Sequence, residues 1–140
     1  MGRIVGLDLG TKRIGVAISD ESQVISFAEE TINVTSIKAS LNYIVALVER
    51  YSADKVIIGL PLNMNGTKGP QAEKAIDFAS RLQRRVKAGV LTFDERLTTS
   101  QGEQILIAAD MSREKRKKHI DKLAAQIILQ AYLDCSKNSK

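Results

Sequence analysis

Apolar residues near the start of the chain fall into three short runs, at residues 4–9, 14–18 and 24–32. Polar or turn-forming residues separate the runs, at 10–12 and 19–23. Short apolar runs with polar breaks of this length are typical of strands joined by tight turns. The pattern therefore predicts a three-stranded antiparallel meander.

Between residues 36 and 51 the apolar positions recur at the spacing of an amphipathic helix, with Thr35 or Ser36 available as the N-cap. Residues 55–60 are then apolar at almost every position and stop at Pro61. A run of that kind is typical of a strand covered on both faces, so we predict a central parallel strand there.

The rest of the chain continues the alternation of helices and strands. It predicts a loop over 61–70, a helix over 71–87, a strand over 90–93, a helix over 98–109 and a long helix that ends near Leu133. This order is typical of an α/β fold, with a mixed sheet that carries helices against its faces. A chain of 140 residues is predicted to form a single domain, residues 1–140.

Composition narrows the class of protein. Hydrophobic residues make up 44% and charged residues 26% of the chain, which is typical of a globular protein and not of a disordered one. Cys135 is the single cysteine, so an intramolecular disulfide and a cysteine metal cluster are both excluded. The first apolar run is too short for a signal peptide or a membrane span. We expect a cytoplasmic protein that does not enter a membrane.

The formal charge of +5 is partly concentrated in one segment, residues 113–119, where five of seven residues are Lys or Arg. Such a density suits contact with successive phosphates. It is equally typical of a solvated helix face, and charge alone does not separate the two interpretations.

Acidic residues at three places stand where burial is expected. Asp8 interrupts an apolar strand, Asp94 and Glu95 follow the last strand, and Asp121 borders the apolar stripe of the long helix. One of the two acids after the last strand should point inward. Each acid alone is more often a cap, a surface charge or a member of an ion pair. Together they predict a carboxylate centre at the carboxyl edge of the sheet.

Carboxylate oxygens are the ligands that Mg²⁺ and Mn²⁺ prefer, and a two-metal site can hydrolyse a phosphodiester without a Ser, Cys or His nucleophile. His119 is the one histidine in the chain and lies inside the basic segment. A Ser-His-Asp mechanism therefore has no support in the sequence.

Four segments resemble motifs of the YqgF/RuvX family, and the similarity covers essentially the whole chain. They are Gly-Leu-Asp-Leu-Gly-Thr-Lys-Arg-Ile-Gly-Val-Ala at 6–17, Gly-Leu-Pro-Leu-Asn-Met-Asn-Gly at 59–66, Asp-Glu-Arg-Leu-Thr-Thr at 94–99 and Asp-Lys-Leu-Ala-Ala at 121–125. The resemblance implies an RNase H-like fold with a five-stranded mixed sheet. It also implies that Asp8, Glu95 and Asp121 form a catalytic, metal-binding triad with Mg²⁺ or Mn²⁺.

The resemblance implies a nuclease, a hydrolase of phosphodiester bonds, with two candidate substrates. The family is associated with maturation of the 5′ end of 16S ribosomal RNA, and we favour this role. By likeness to the resolvase RuvC, the family is also associated with cleavage of Holliday junctions. The residues implied to hold the nucleic acid are Arg13, Asn65, Gly66, Arg96, Lys115, Arg116 and Lys118. We expect a monomer or a weak homodimer.

Two other functions remain open at this point. The segment Asp-Leu-Gly-Thr-Lys at 8–12 also resembles the phosphate loop of sugar kinases, actin and Hsp70-type ATPases. Those proteins need a second lobe to enclose ATP, and 140 residues leave no room for it. The other alternative is a non-catalytic protein that binds RNA or DNA and has kept the fold and the basic surface.

Overall fold

A computed structural model describes the backbone of residues 2–98 and 113–138, with the side chains of the final helix described from residue 123 to residue 136. The three apolar runs form the predicted antiparallel meander, with strands β1 (Ile4–Leu9), β2 (Arg13–Ser19) and β3 (Ser26–Asn33). Strand β3 begins two residues later than predicted. The carboxylate of Asp20 accepts hydrogen bonds from the backbone N–H groups of Val24 and Ile25, at 2.8 and 2.9 Å, and holds them in a turn.

Helix α1 (Ile37–Arg50) begins after Ser36, whose side-chain hydroxyl accepts a hydrogen bond from the N–H of Ala39 at 3.0 Å. Strand β4 (Lys55–Leu60) then lies parallel to β1 on one side and to β5 (Gly89–Asp94) on the other. Within the described residues the strands form one five-stranded mixed sheet in the order β3-β2-β1-β4-β5. The predicted central parallel strand is confirmed.

Helix α2 (Pro70–Gln83) ends four residues before the predicted boundary at 87. The side chain of Gln83 accounts for the difference, because its amide nitrogen donates to the carbonyl of Ala88 at 2.9 Å and its oxygen accepts from the N–H of Val90 at 2.8 Å. These bonds attach the segment after the helix to the start of β5.

The final helix, α3 (Arg113–Asn138), continues five residues beyond Leu133, where we had predicted its end. No Gly or Pro follows Leu133, so the sequence contains no stop signal there. Of the helix predicted over 98–109, only Thr98 lies within the described residues, and it follows a 3-10 turn (Glu95–Leu97). The prediction for 99–109 lies outside the described residues.

The sheet is covered on both faces. Helices α1 and α2 cover one face, and α3 covers the other, where Ile4, Ala17 and Ile57 are buried against Ala125 and Leu129. Among residues 2–98 and 113–138, no helix is long and apolar enough to cross a membrane.

A glycine permits the close packing of α3 on β1. A Cβ atom added at Gly6 would lie 2.7 Å from Cβ of Leu129 and 3.3 Å from the carbonyl oxygen of Ala125. Gly6 thus faces α3, and so does Asp8, two positions further along the same strand.

Candidate active site

Strands β1, β4 and β5 run parallel, so their carboxyl ends meet at one edge of the sheet. Asp8 lies near the end of β1, Gly59 near the end of β4, and Glu95 directly after β5. The structure therefore brings two of the predicted acidic residues, Asp8 and Glu95, to this edge of the sheet.

The 3-10 turn after β5 separates the two neighbouring acids. The carboxylate of Asp94 turns back and accepts a hydrogen bond from the N–H of Arg96 at 2.9 Å. The carbonyl of Glu95 accepts from the N–H and the hydroxyl of Thr98, at 3.1 and 2.7 Å. Glu95, and not Asp94, points inward over the sheet.

Glycine at position 59 makes room for the Glu95 side chain. A Cβ atom there would lie 3.2 Å from both Cγ and Cδ of Glu95, and 2.7 Å from Cδ1 of Ile128. Glu95 thus occupies the space between β4 and α3, on the same face of the sheet as Asp8.

The surroundings of Glu95 change its acidity. Burial raises the pKa of Glu95 to about 7, and the negative charges of Asp8 and then Asp94 contribute to the increase. Near neutral pH, Glu95 is therefore protonated in part of the molecules, and a cation at this site would favour its charged form. Such a pair can act in proton transfer or bind a divalent cation.

Asp121, the third predicted member of the acidic triad, lies in α3. It stands four residues, or about one helical turn, before Ala125, whose carbonyl oxygen lies against the Gly6 position. Its side chain lies outside the described residues. Among the side chains that are described, no group of three His, Cys, Asp or Glu residues could hold a metal ion.

Arg13, predicted to contact nucleic acid, is the first residue of β2 and lies at the same edge of the sheet as Asp8. Asp8 pairs with Gly15 across the antiparallel ladder, and Arg13 stands two positions from Gly15. Because side chains alternate along a strand, Arg13 and Asp8 belong to the same face.

Arg96 follows Glu95 in the chain, and its side chain is bound to the carboxylate of Asp94. Its Nε and Nη2 atoms donate to the Asp94 carboxylate at 2.7 to 3.0 Å, and this ion pair lowers the pKa of Asp94 and raises that of Arg96. Its Nη1 atom approaches the loop that contains Asn65 and Gly66. The sequence did not reveal the part played by Asp94, although the spacing of an acid two residues before an arginine allows such a pair.

The remaining predicted contacts, Lys115, Arg116 and Lys118, lie in the first two turns of α3, together with His119. Their side chains lie outside the described residues, so their contact with nucleic acid stays a prediction.

Comparison with known proteins gives a match over nearly the whole chain. The family model described as "RuvX: Holliday junction resolvase" matches residues 2–135. A relative from Caldanaerobacter subterraneus, named "Putative pre-16S rRNA nuclease", is 54% identical and covers 98% of this chain and 99% of its own. A relative of the same name from Bacillus thuringiensis is 48% identical over 94% of this chain and 98% of its own.

Two resolvases of low sequence identity are among the solved structures with a similar fold. Thermus thermophilus RuvC, in complex with a Holliday junction substrate, aligns with a TM-score of 0.62 at 10% identity and covers 99% of this chain and 98% of its own. The Fowlpox virus resolvase, in complex with Holliday junction DNA, aligns with a TM-score of 0.59 at 16% identity, over 96% and 98%. At these identities the likeness concerns the fold, and the RNase H-like fold expected from the sequence is confirmed.

Proposed function

The chain belongs to the RuvX family, and from that membership we propose that it is a nuclease that hydrolyses phosphodiester bonds in maturation of the 5′ end of pre-16S rRNA. The names of its relatives at 48 to 54% identity support ribosomal RNA as the substrate. Nucleic acid is thus its proposed partner.

One observation carries the proposal that it is a nuclease: the approach of the Asp8 and Glu95 carboxylates at the carboxyl edge of the sheet. The two acids come from separate elements, β1 and the turn after β5, and the negative charge of Asp8 raises the pKa of Glu95. Their position at the end of parallel strands is the usual place for a ligand site in an open α/β sheet.

The chemistry of these side chains fits Mg²⁺ or Mn²⁺. Carboxylate oxygens are hard ligands, and a divalent cation between Asp8 and Glu95 would remove their repulsion. Asp8 and Glu95 are the proposed ligands, with Asp121 as the third. When bound, such a cation lowers the pKa of water and stabilises the charge that develops on the leaving oxygen.

The other residues at this edge have proposed roles in holding the substrate. Arg13, on the face and edge of Asp8, would bind a backbone phosphate beside the carboxylates. Lys115, Arg116 and Lys118 would contact phosphates further along the strand. Such contacts fix the position of the nucleic acid without reading its sequence.

Holliday junction cleavage is the second candidate, because the description of the family model names it. A resolvase that cuts two symmetric strands is expected to act as a dimer, whereas cleavage of a single RNA strand makes no such demand. A stable monomer would therefore count against the resolvase.

The test uses the purified protein and its Asp8→Asn variant with a labelled pre-16S rRNA 5′ segment and a four-way DNA junction, in Mg²⁺ or Mn²⁺ and in EDTA. We expect the wild type to cleave the RNA only with metal, and Asp8→Asn to lose at least about 100-fold in rate because a metal ligand is removed. Asp77→Asn is the matched control, since Asp77 is an exposed partner of Arg81 on α2.

Unchanged cleavage by Asp8→Asn would show that the carboxylate assignment is wrong. Cleavage of the junction alone, by a dimer, would establish the resolvase. Metal-independent binding of either substrate without cleavage would establish the non-catalytic factor.

A further inference from the structure

The loop after β4 is held by its own hydrogen bonds. Asn63 donates its N–H to the carbonyl of Thr67 at 2.9 Å, and its own carbonyl accepts from the N–H of Gly66 at 2.8 Å. The side-chain oxygen of Asn65 accepts from the N–H and the hydroxyl of Thr67, at 3.1 and 2.6 Å. Gly66 has φ +84°, which favours glycine. Residues 63–67, the 63–67 loop, therefore have a defined conformation.

Arg96 joins this loop to the carboxylate site. Its Nη1 atom donates to the carbonyl of Met64 at 3.4 Å, while the same guanidinium is bound to Asp94. A Cβ atom at Gly66 would lie 3.6 Å from Nη1, so the loop backbone lies directly against the guanidinium. Because Glu95 stands between Asp94 and Arg96 in the chain, the loop is fixed relative to Glu95.

The loop exposes an apolar side chain at this edge of the sheet. Met64 is 93% exposed, compared with 57% for Leu97, the next most exposed large hydrophobic residue of the described part. Methionine is flexible and polarisable, and such side chains suit contacts with surfaces of variable shape. A fully exposed methionine on a hydrogen-bonded loop is therefore placed to meet an apolar surface of a partner.

We propose that Met64 packs against an unpaired nucleobase of the RNA strand beside the scissile phosphate. This inference rests on the proposed function, because the carboxylates beside Arg96 fix where the phosphodiester must lie. The face of an unstacked base is the apolar surface that single-stranded RNA offers near its backbone. Methionine is among the apolar side chains that proteins insert between the base steps of a duplex, so its contact with a base face is chemically favourable. Arg96 acts as a positioning residue that holds the 63–67 loop at a fixed distance from Glu95.

The test measures binding of single-stranded RNA and of duplex RNA in the full-length Asp8→Asn protein, over a series of salt concentrations. Into this background are introduced Met64→Ala, Met64→Leu and the control Ile25→Ala, which removes a residue that is 50% exposed and precedes β3. A second readout is the fluorescence of 2-aminopurine placed at successive positions of the strand, which reports whether a base is unstacked.

We expect Met64→Ala to weaken binding of single-stranded RNA on the order of fivefold, at the low end of the effect of losing an aromatic stacking contact, because methionine has no aromatic ring. Met64→Leu should stay within about twofold, since it keeps an apolar side chain of similar volume. The salt slope should not change, because no charge is removed. The 2-aminopurine signal at one position should fall in Met64→Ala and persist in Met64→Leu.

Equal affinities of Met64→Ala and its parent, or an equal loss in Ile25→Ala, would overturn the inference. So would a loss of self-association in Met64→Ala with RNA binding intact, which would assign Met64 to a protein contact.

If the wild type cleaves RNA and substitution of Met64 has no effect on RNA binding, the inference fails alone. If Met64→Ala weakens RNA binding but the wild type cleaves nothing, the proposed function fails and the base contact stands. Absence of any RNA binding would overturn both.

Discussion

Glu95 shows how the surroundings of one residue decide its chemistry. It is partly buried between β4 and α3, beside the charge of Asp8, and its pKa is raised to about 7. Its neighbour Asp94 has the opposite shift, because the guanidinium of Arg96 stabilises its charged form. Adjacent acids in the chain therefore have different protonation behaviour, which is typical of functional sites.

The raised pKa of Glu95 predicts how stability depends on pH in the metal-free protein. The folded state retains a proton on Glu95 that the unfolded state loses, so stability falls as the pH rises from about 4.5 through about 7. The contribution lost is at most about 3 kcal/mol, because Glu95 is partly exposed and solvent screens part of the effect. Glu95→Gln cannot ionise, so we expect it to be more stable than the wild type at pH 8 and to lack this part of the decline.

Urea denaturation in EDTA at intervals between pH 5 and pH 8 measures the effect. Glu49→Gln, at an exposed position on α1, is the control and should follow the wild type. If the wild type and Glu95→Gln have parallel pH profiles, the burial and repulsion ascribed to Glu95 are wrong.

At the scale of elements, the contact between α3 and the sheet depends on glycines that face the helix. Gly6 leaves no room for a methyl group, because Cβ of Leu129 and the carbonyl of Ala125 belong to or adjoin the helix backbone and cannot rotate away. Gly89, at the start of β5, has no atom within 4 Å of an added Cβ. The two positions therefore form a natural pair for comparison.

We predict that Gly6→Ala lowers the free energy of unfolding by about 1–3 kcal/mol, since α3 must shift outward. The same shift would move position 121 of α3 relative to Asp8, so RNA cleavage should also fall. Gly89→Ala should be neutral or slightly stabilising, because alanine restricts the unfolded chain. Thermal unfolding and the cleavage assay measure both effects. An equal stability of Gly6→Ala and Gly89→Ala would contradict the packing of α3 on β1.

Local patterns predicted the kinds of elements well and their ends less well. The meander, α1 and β4 follow from runs and spacings that involve only neighbouring residues. The end of α2 depends on Gln83, which bonds to the segment before β5 and to Val90 in that strand. The start of β3 depends on Asp20, whose side chain folds back over the turn. Such side-chain to backbone bonds are not visible in a hydrophobic pattern.

At the scale of the whole molecule, the excess positive charge is a property that single contacts do not describe. The net charge is +5, and the basic segment lies at the start of α3, the helix that covers the face of Asp8. Binding of nucleic acid should therefore depend strongly on salt, since each neutralised phosphate releases counterions.

Replacing Lys115, Arg116 and Lys118 by Gln should weaken RNA binding and reduce the slope of log affinity against log salt by about 2, as for loss of three phosphate contacts. The control replaces Arg84, Arg85 and Lys87, which are exposed between α2 and β5, near the opposite edge of the sheet. Fluorescence anisotropy titrations between about 50 and 300 mM salt give both slopes. Equal slopes for the two triple variants would favour the solvated-face interpretation of the basic segment.

The sequence by itself determined the α/β class, the order of the strands along the chain and the acids that interrupt apolar elements, because each is encoded within a few neighbouring residues. The resemblance to the RuvX family, to which the comparisons assign the chain, had already indicated Glu95 as a member of the acidic triad. Only the tertiary structure decided that Glu95 lies over Gly59, that Asp8 raises its pKa, and that Arg96 joins Asp94 to the 63–67 loop. These features depend on contacts between residues far apart in the chain, which the parallel packing of β1, β4 and β5 creates.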